Sequence, residues 1–339
     1  MTKNLSRDNH FVPQRYLQAW SEDGDRLWAY RTLVSHHSVH EWRRRSIKGL
    51  AFHRDLYTTF RDGIEVDDFE HWINELEQPA FEVIDRVRQE ARLGRSDWEK
   101  LAMFFALQDL RTPLSFLESM DRWNKTMPAL LEETSRKAIR EYETLKKDGK
   151  AVHLEADIPF KDHFKVELDR SDRGRTGQVA IKTTVLLGRG LWIAQIRHFL
   201  VGISRALREH KWSIVRVKGK SEWFTTDHPA LKLNFTSPNK YDFKGGWGSK
   251  GTDLMLPLTP RHLLFTNIGS DHPDYFTLSW DHTHLVQRML AERAHRWIFA
   301  TRRLDRVITF RKRVVNEELF KAEQVAMANW HEDNRKIEQ

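Results

Sequence analysis

A histidine at position 10, an arginine at 111 and the pair Asp227-His228 are the side chains of this chain that could together act on a phosphate ester. An imidazole can give or take a proton near neutral pH, and His10 follows Asn9 in a polar stretch that enters a helix. Arg111 presents a rigid fork of donors suited to a phosphate or carboxylate, and it shares a helical face with Gln108, three residues earlier. Asp227 ends a strand-like run, and Pro229 stiffens the turn after His228. From there a carboxylate could orient His10, bind a divalent cation together with His228, or polarise a water. Each residue also has a plainer use. His10 could bond backbone, Arg111 could form a buried ion pair with an acid such as Asp227, and Asp227 could cap the amides of a turn.

Candidates for substrate contact surround this set. Gln14 and Gln108 lie beside His10 and Arg111 in sequence, while Lys244 and Trp247 sit in Lys244-Gly-Gly-Trp-Gly-Ser-Lys-Gly251. That loop lacks the Gly-x4-Gly-Lys-Ser/Thr order of a phosphate loop, but a cation and an indole there could stack a base or cover a cleft. The histidines His36, His37 and His40 could ligate a transition metal, although Arg43 to Arg45 oppose a cation nearby. Two spacings, Arg205 to His210 and Arg288 to His295, match the Arg-x4–6-His pattern of the helical ribonucleases called HEPN. Thirteen tryptophans are present, and Trp42, Trp123 and Trp212 lie next to basic residues, an arrangement suited to single-stranded nucleic acid.

Composition narrows the chemistry. The chain has no cysteine, which removes disulfides, thiolate nucleophiles and Cys-ligated zinc or iron–sulfur centres. Fifty-six Lys and Arg against 48 Asp and Glu leave a formal charge of +8, a balance that favours polyanions. With 339 residues, 40% of them apolar, the chain can fill a substantial core. It contains no run of about 18 apolar residues and no signal-peptide pattern, so a soluble, cytoplasmic protein without membrane insertion is expected.

These side chains need a scaffold, and the patterning predicts an α+β one. A short turn and helix over residues 8–20 places Tyr16, Leu17 and Trp20 on one face. Strands are expected at 26–30 and 55–60, joined by an exposed histidine- and arginine-rich link. Residues 66–150 read as three or four helices, with a capping box at Ser96-Asp-Trp-Glu99 and interruptions at Pro113 and Pro128. A polar loop is expected at 169–177, then a helix from about 191 to 210. Strand-like runs at 212–217 and 222–226 flank a Lys-Gly-Lys turn, and a long loop over 234–252 precedes strands at 254–258 and 262–266. A helix near 282–296, a run at 297–301 and a last helix from about 315 complete the pattern. The organisation expected is one composite domain over 1–339: N-terminal motif and strands (8–65), helical region (66–150), mixed region (151–310) and C-terminal helix (311–339). Strands from both ends should form a mixed or antiparallel sheet.

Four segments, His10-Phe-Val-Pro13-Gln14-Arg-Tyr16-Leu17, Gln108-Asp-Leu-Arg111-Thr-Pro113, Thr225-Thr226-Asp227-His228-Pro229 and Pro257-Leu-Thr-Pro260, occur in an order that resembles the bacterial domain-of-unknown-function 4238 family. The resemblance runs from His10 to near Trp297. Thr226 stands where the family usually has serine, which keeps a hydroxyl. The resemblance implies a composite α+β domain in which the N-terminal motif, the Gln/Arg motif and the Asp-x-Pro strand end meet in space.

The leading functional expectation is a nucleic-acid-directed enzyme that cleaves phosphodiesters in RNA or single-stranded DNA. His10 would serve as acid and base, Arg111 would hold the developing charge, and Asp227 with His228 would orient groups or bind a divalent cation. A bacterial defence or toxin setting would suit that activity. One alternative is a non-enzymatic module that binds nucleic acid or protein with the same residues as a structural core. Another is a small-molecule hydrolase or transferase with a deep apolar pocket.

Overall fold

The structure, a computed structural model, describes residues 5–61, 63–147, 165–173 and 179–339. The chain opens with β1 (Asp8–His10), α1 (Gln14–Leu17) and a 3-10 turn over Gln18–Trp20. Next come β2 (Arg26–Arg31), β3 (Leu33–Val34), β4 (Trp42–Ser46), β5 (Phe52–Arg54), β6 (Thr59–Arg61) and β7 (Ile64–Val66). Three helices, α2 (Asp68–Arg88), α3 (Arg95–Leu110) and α4 (Pro113–Lys147), precede β8 (Lys165–Arg173), β9 (Val179–Leu186) and α5 (Arg189–Glu209). The second half carries β10 (Ser213–Arg216), β11 (Thr225–Thr226), β12 (Leu231–Ser237), β13 (Lys240–Asp242), β14 (Thr252–Pro257), β15 (His262–Asn267) and β16 (Tyr275–Thr277). It closes with α6 (Trp280–Arg293), β17 (Trp297–Ala300), α7 (Asp305–Phe310), β18 (Val314–Val315) and α8 (Glu317–Glu338).

This is an α+β architecture with a helical middle, as the patterning predicts. One sheet has six strands in the order β13-β12-β14-β15-β10-β16, antiparallel except where β10 runs parallel to β16. A second, β11-β17-β2-β4, is antiparallel throughout and joins strands from both ends of the chain. The parallel pair β3·β18 ties residue 33 to residue 314. Helices α2, α3 and α5 pack their apolar faces, among them Ile73, Phe104, Phe105 and Trp192, around Tyr16, Leu17 and Trp20 of the first motif. A second cluster lies where α6 covers strand residues such as Leu231, Leu263 and Ile298. Burial at these positions is the main favourable term for the fold.

Several local expectations are corrected. The predicted strand at 55–60 is a turn over its first half: Asp55 adopts φ 54°, and only Thr59–Arg61 pairs. The basic link contains β4, whose Arg43, Arg44 and Arg45 are exposed on an edge strand and so lack the alternation that marks a strand in sequence. Helix α3 is capped by Gly94, with the Asp97 carboxylate bonded to the Gly94 amide at 2.8 Å, so the box sits two residues before the predicted one. The Lys218-Gly219-Lys220 turn joins two different sheets, not one hairpin, and Gly219 at φ +62° makes the corner. Residues 234–252 contain the end of β12, a bulge and β13. Residues 169–173 belong to β8, and the rest of the expected polar loop, 174–177, lies outside the described residues.

Candidate functional site

The four sequence segments do converge, through side chains that fix the fold. Pro13 caps α1 and lets the helix turn Tyr16 inward. The Tyr16 hydroxyl donates to Pro257 O at 2.5 Å and accepts from Thr225 Oγ1 at 2.7 Å, while Trp20 Nε1 donates to Trp223 O at 2.8 Å. Arg111 Nε donates to Phe11 O at 3.0 Å, and Thr112 Oγ1 lies 2.6 Å from His228 Nδ1. The bonds of Tyr16, Arg111 and Thr112 each cross from one segment to another and that of Trp20 joins their flanks, so deleting any motif would leave buried polar groups of its neighbours unsatisfied.

Arg111, at 1% exposure, finds its acid in Glu77 of α2 and not in Asp227. The Nη2–Oε1 distance is 2.6 Å, and Gln108 Nε2 donates to the same oxygen at 3.1 Å. Gln108 and Arg111 therefore share a helical face as the spacing predicts, but that face is turned into the interior. Burial pushes the Glu77 carboxyl up to about 7, and the Arg111 guanidinium acts against that rise. Asn9 extends the network by bridging the Tyr57 amide at 3.2 Å and Glu70 at 3.4 Å, and the Tyr57 hydroxyl donates to Arg111 O at 2.6 Å.

The Asp227 carboxylate accepts the amides of His295 at 2.9 Å and Arg296 at 2.7 Å, so it caps a distant turn at the end of α6. Burial pushes it up to about 7 and the surrounding amides oppose the shift. His228 faces the other way. Its Nε2 is 3.8 Å from Asp109 Oδ1 and has no hydrogen-bond partner, while Asp109 Oδ2 accepts from Lys232 Nζ at 2.6 Å and Trp247 Nε1 at 2.9 Å. Thr112, His228 and Asp109 thus follow the order of a nucleophile, its base and an orienting carboxylate. The geometry does not serve that chemistry: Thr112 is fully buried, its hydroxyl also accepts the Ser115 amide, and the carboxylate is beyond hydrogen-bonding reach. Burial, with Arg293 and Lys232 adding to it, holds the His228 imidazole well below the usual range.

His10 is half-buried, and both ring nitrogens are engaged. Lys48 O at 3.3 Å can only accept, so Nε2 carries the proton and Nδ1 accepts from Gln14 Nε2 at 3.4 Å. Burial pushes this imidazole down, with the nearby Arg111 charge contributing. Trp247 is buried against Asp109, and Gly245 lets its loop lie on β12 and β14, since a Cβ there would come within 3.0 Å of the Leu233 amide nitrogen and 2.6 Å of the Thr252 methyl. Lys244 is exposed. His210 donates to Trp247 O at 2.7 Å, so the first Arg-to-His spacing ends in a histidine bonded to backbone, and His295 of the second lies past the end of α6 at Arg293. Among the described residues no group of three or more His, Asp or Glu is placed to hold a metal ion, and no helix is long and apolar enough to cross a membrane.

An open site does exist, and its residues are far apart in sequence. Beside the start of α6 a cleft of about 560 Å³ is lined by Lys218 and Lys220 of the sheet-to-sheet corner, Arg302, Arg306, Gln287 and Trp280. Trp280 is 56% exposed, and the His284 imidazole one helical turn on backs its ring with centroids 3.7 Å apart and planes tilted by 40°. Arg302 is tethered to Glu222 at 3.3 Å and Arg306 to Gln287 at 3.1 Å, while the corner is braced by Arg261, which donates to the carbonyls of Val217, Gly219 and Ser221. Lys218 and Lys220 form no ion pair among the described residues. The one signal for this cleft in sequence is the Lys-Gly-Lys turn, and it could not be linked to Trp280 without the fold.

A family model described as "Protein of unknown function (DUF4238)" matches residues 8–303. No curated protein and no solved structure matches the chain.

Proposed function

The chain belongs to the DUF4238 family, and we propose that it is a nucleic-acid-binding module that takes RNA or single-stranded DNA in the cleft beside α6. The observation that carries this reading is the exposed, histidine-backed Trp280 ring set among Lys218, Lys220, Arg302 and Arg306. An aromatic face accepts any base by stacking, and cations around it track the phosphates, so affinity needs no particular sequence. Binding is favoured over cleavage because Arg111, Asp227 and His228 are buried and engaged by structural partners, Phe11 O and Glu77, the amides of residues 295 and 296, and Thr112 in turn, and both nitrogens of His10 are occupied.

The test is anisotropy of a labelled single-stranded oligonucleotide. Wild type should bind with affinity that falls steeply with salt. Trp280→Ala should weaken binding by about 1–3 kcal/mol, and Lys218→Gln/Lys220→Gln should lower the salt slope. His10→Ala should leave binding intact, and incubation with divalent cations should yield no cleavage products. Retained binding in Trp280→Ala removes the cleft from the reading, and cleavage lost in His10→Ala restores the phosphodiesterase.

A further inference from the structure

The geometry points to a second, separate anion site at the outer corner of the four-stranded sheet, where Arg31, Arg43 and Arg45 face a cavity with room for one tetrahedral oxyanion such as phosphate. The cavity holds about 140 Å³, too little for a base and its sugar, and Trp297 and Phe320 form its floor. Strand register explains the convergence. Ala29 of β2 pairs with Arg43 of β4, and Trp297 of β17 pairs with Arg31, so side chains two apart on three neighbouring strands share one face. The guanidiniums of Arg31 and Arg45 both lie over the Trp297 ring, at 5.0 and 5.3 Å, and Arg31 also covers Phe320 at 4.4 Å.

Charge in this corner is not balanced by the protein. Arg31 meets Glu323 at 3.5 Å, but Glu323 is held more closely by Arg296. Arg43 and Arg45 have no ion pair among the described residues, and Glu41, which also lines the cavity, pairs with none of the three. Arg31 Nε is buried without a hydrogen-bond partner, a donor that a native interior rarely leaves unused. Burial lowers the Arg31 guanidinium, and Arg45 and Arg296 add to that effect against the pull of Glu323. A bound phosphate would accept from the free forks of Arg43 and Arg45, charge-assisted hydrogen bonds of the strong kind, and its charge would offset that of Arg31 beside them. The site does not rest on the oligonucleotide reading, since it shares no residue with the cleft beside α6.

The experiment is calorimetric titration with inorganic phosphate at fixed ionic strength, with chloride as the control anion, on wild type, Arg43→Gln/Arg45→Gln and Trp280→Ala. Arg43 and Arg45 are exposed on an edge strand, so the double variant keeps its core. Wild type and Trp280→Ala should bind phosphate alike, and the double variant should lose at least about tenfold in affinity. Its oligonucleotide binding should be unchanged. Competition by a 5′-phosphorylated oligonucleotide but not its 5′-hydroxyl twin assigns the phosphate to a nucleic-acid end, and equal behaviour of the two assigns it to free phosphate. No heat beyond that of chloride, or full affinity in the double variant, overturns the site.

Discussion

Replacing Arg111 with methionine should destabilise the protein by about 3–5 kcal/mol, the cost of leaving one partner of a buried pair uncompensated. Methionine keeps most of the stem's volume, so the loss is that of the charge: Phe11 O loses its donor at 3.0 Å, and Glu77, 3% exposed, keeps only Gln108. The dependence on pH is the sharper test. A carboxyl that titrates near 4.5 when unfolded and near 7 when folded takes up a proton on folding between those values. The free energy of unfolding therefore falls as pH rises through that window and levels above it. Without the guanidinium the folded value rises further, and the decline continues above pH 7 at up to about 1.4 kcal/mol per pH unit. The variant's deficit should thus be larger at about pH 8.5 than at about pH 6 by roughly 1–2 kcal/mol. Urea unfolding followed by tryptophan fluorescence measures both. Glu77→Gln/Arg111→Met should recover much of the loss and abolish the extra pH dependence, because a neutral pair leaves no buried charge. A deficit below about 1 kcal/mol, or one equal at the two pH values, would refute the charge argument.

Three further outcomes follow from the same physics. Asp227→Asn should cost about 2–3 kcal/mol, because one of the two amides at 295 and 296 then faces an NH2 group; a melting temperature equal to wild type would show the cap to be dispensable. His295, pushed down to about 3 by burial and by Arg296, stays neutral in the fold while the unfolded chain protonates near 6.5. Stability is lost as pH falls below 6.5, and His295→Asn should remove up to about 1.4 kcal/mol of that loss per pH unit, read from melting curves between pH 6.5 and 4.5. Glu338→Ala should cost about 3–5 kcal/mol, since Arg189 is fully buried and held by both Glu338 oxygens at 3.0 and 2.7 Å; a smaller change than in an exposed control such as Glu332→Ala would contradict the clamp.

The helices were legible in the sequence for two reasons: α2, α5 and α8 carry an apolar period along one face, and α3 is marked by the acidic start at Asp97 and a continuous apolar run from Leu101 to Leu107. The sequence also marked the four segments that meet. What it could not show is which way a polar residue faces. Gln108, Arg111 and Asp109 look like a surface motif because burying them requires partners on other elements, namely Glu77, Lys232 and Trp247, at separations of 31 to 138 residues. The sequence reads Asp227 first as a catalytic or cation-binding carboxylate, with a turn cap as its plainer use; the cap is what forms, and the amides it holds lie 68 and 69 residues away. The cleft at Trp280 was invisible for the opposite reason: its cations come from a corner and a loop that no local pattern ties to a helix start.

The Arg189 clamp has a consequence for how the chain is made. Its counter-charge lies 149 residues downstream, on α8, beyond residue 303 where the family match ends. During translation α5 emerges with a cation that belongs in the interior and no anion to accompany it, and none arrives until residue 338 has cleared the ribosome. The order of synthesis and the order of closure therefore differ. The first motif can find α3 early, but the interior around Arg189 and the Asp55 carbonyl it binds at 2.9 Å must wait for the last helix. A fragment cut at the family boundary would meet the same arginine with no partner to offer.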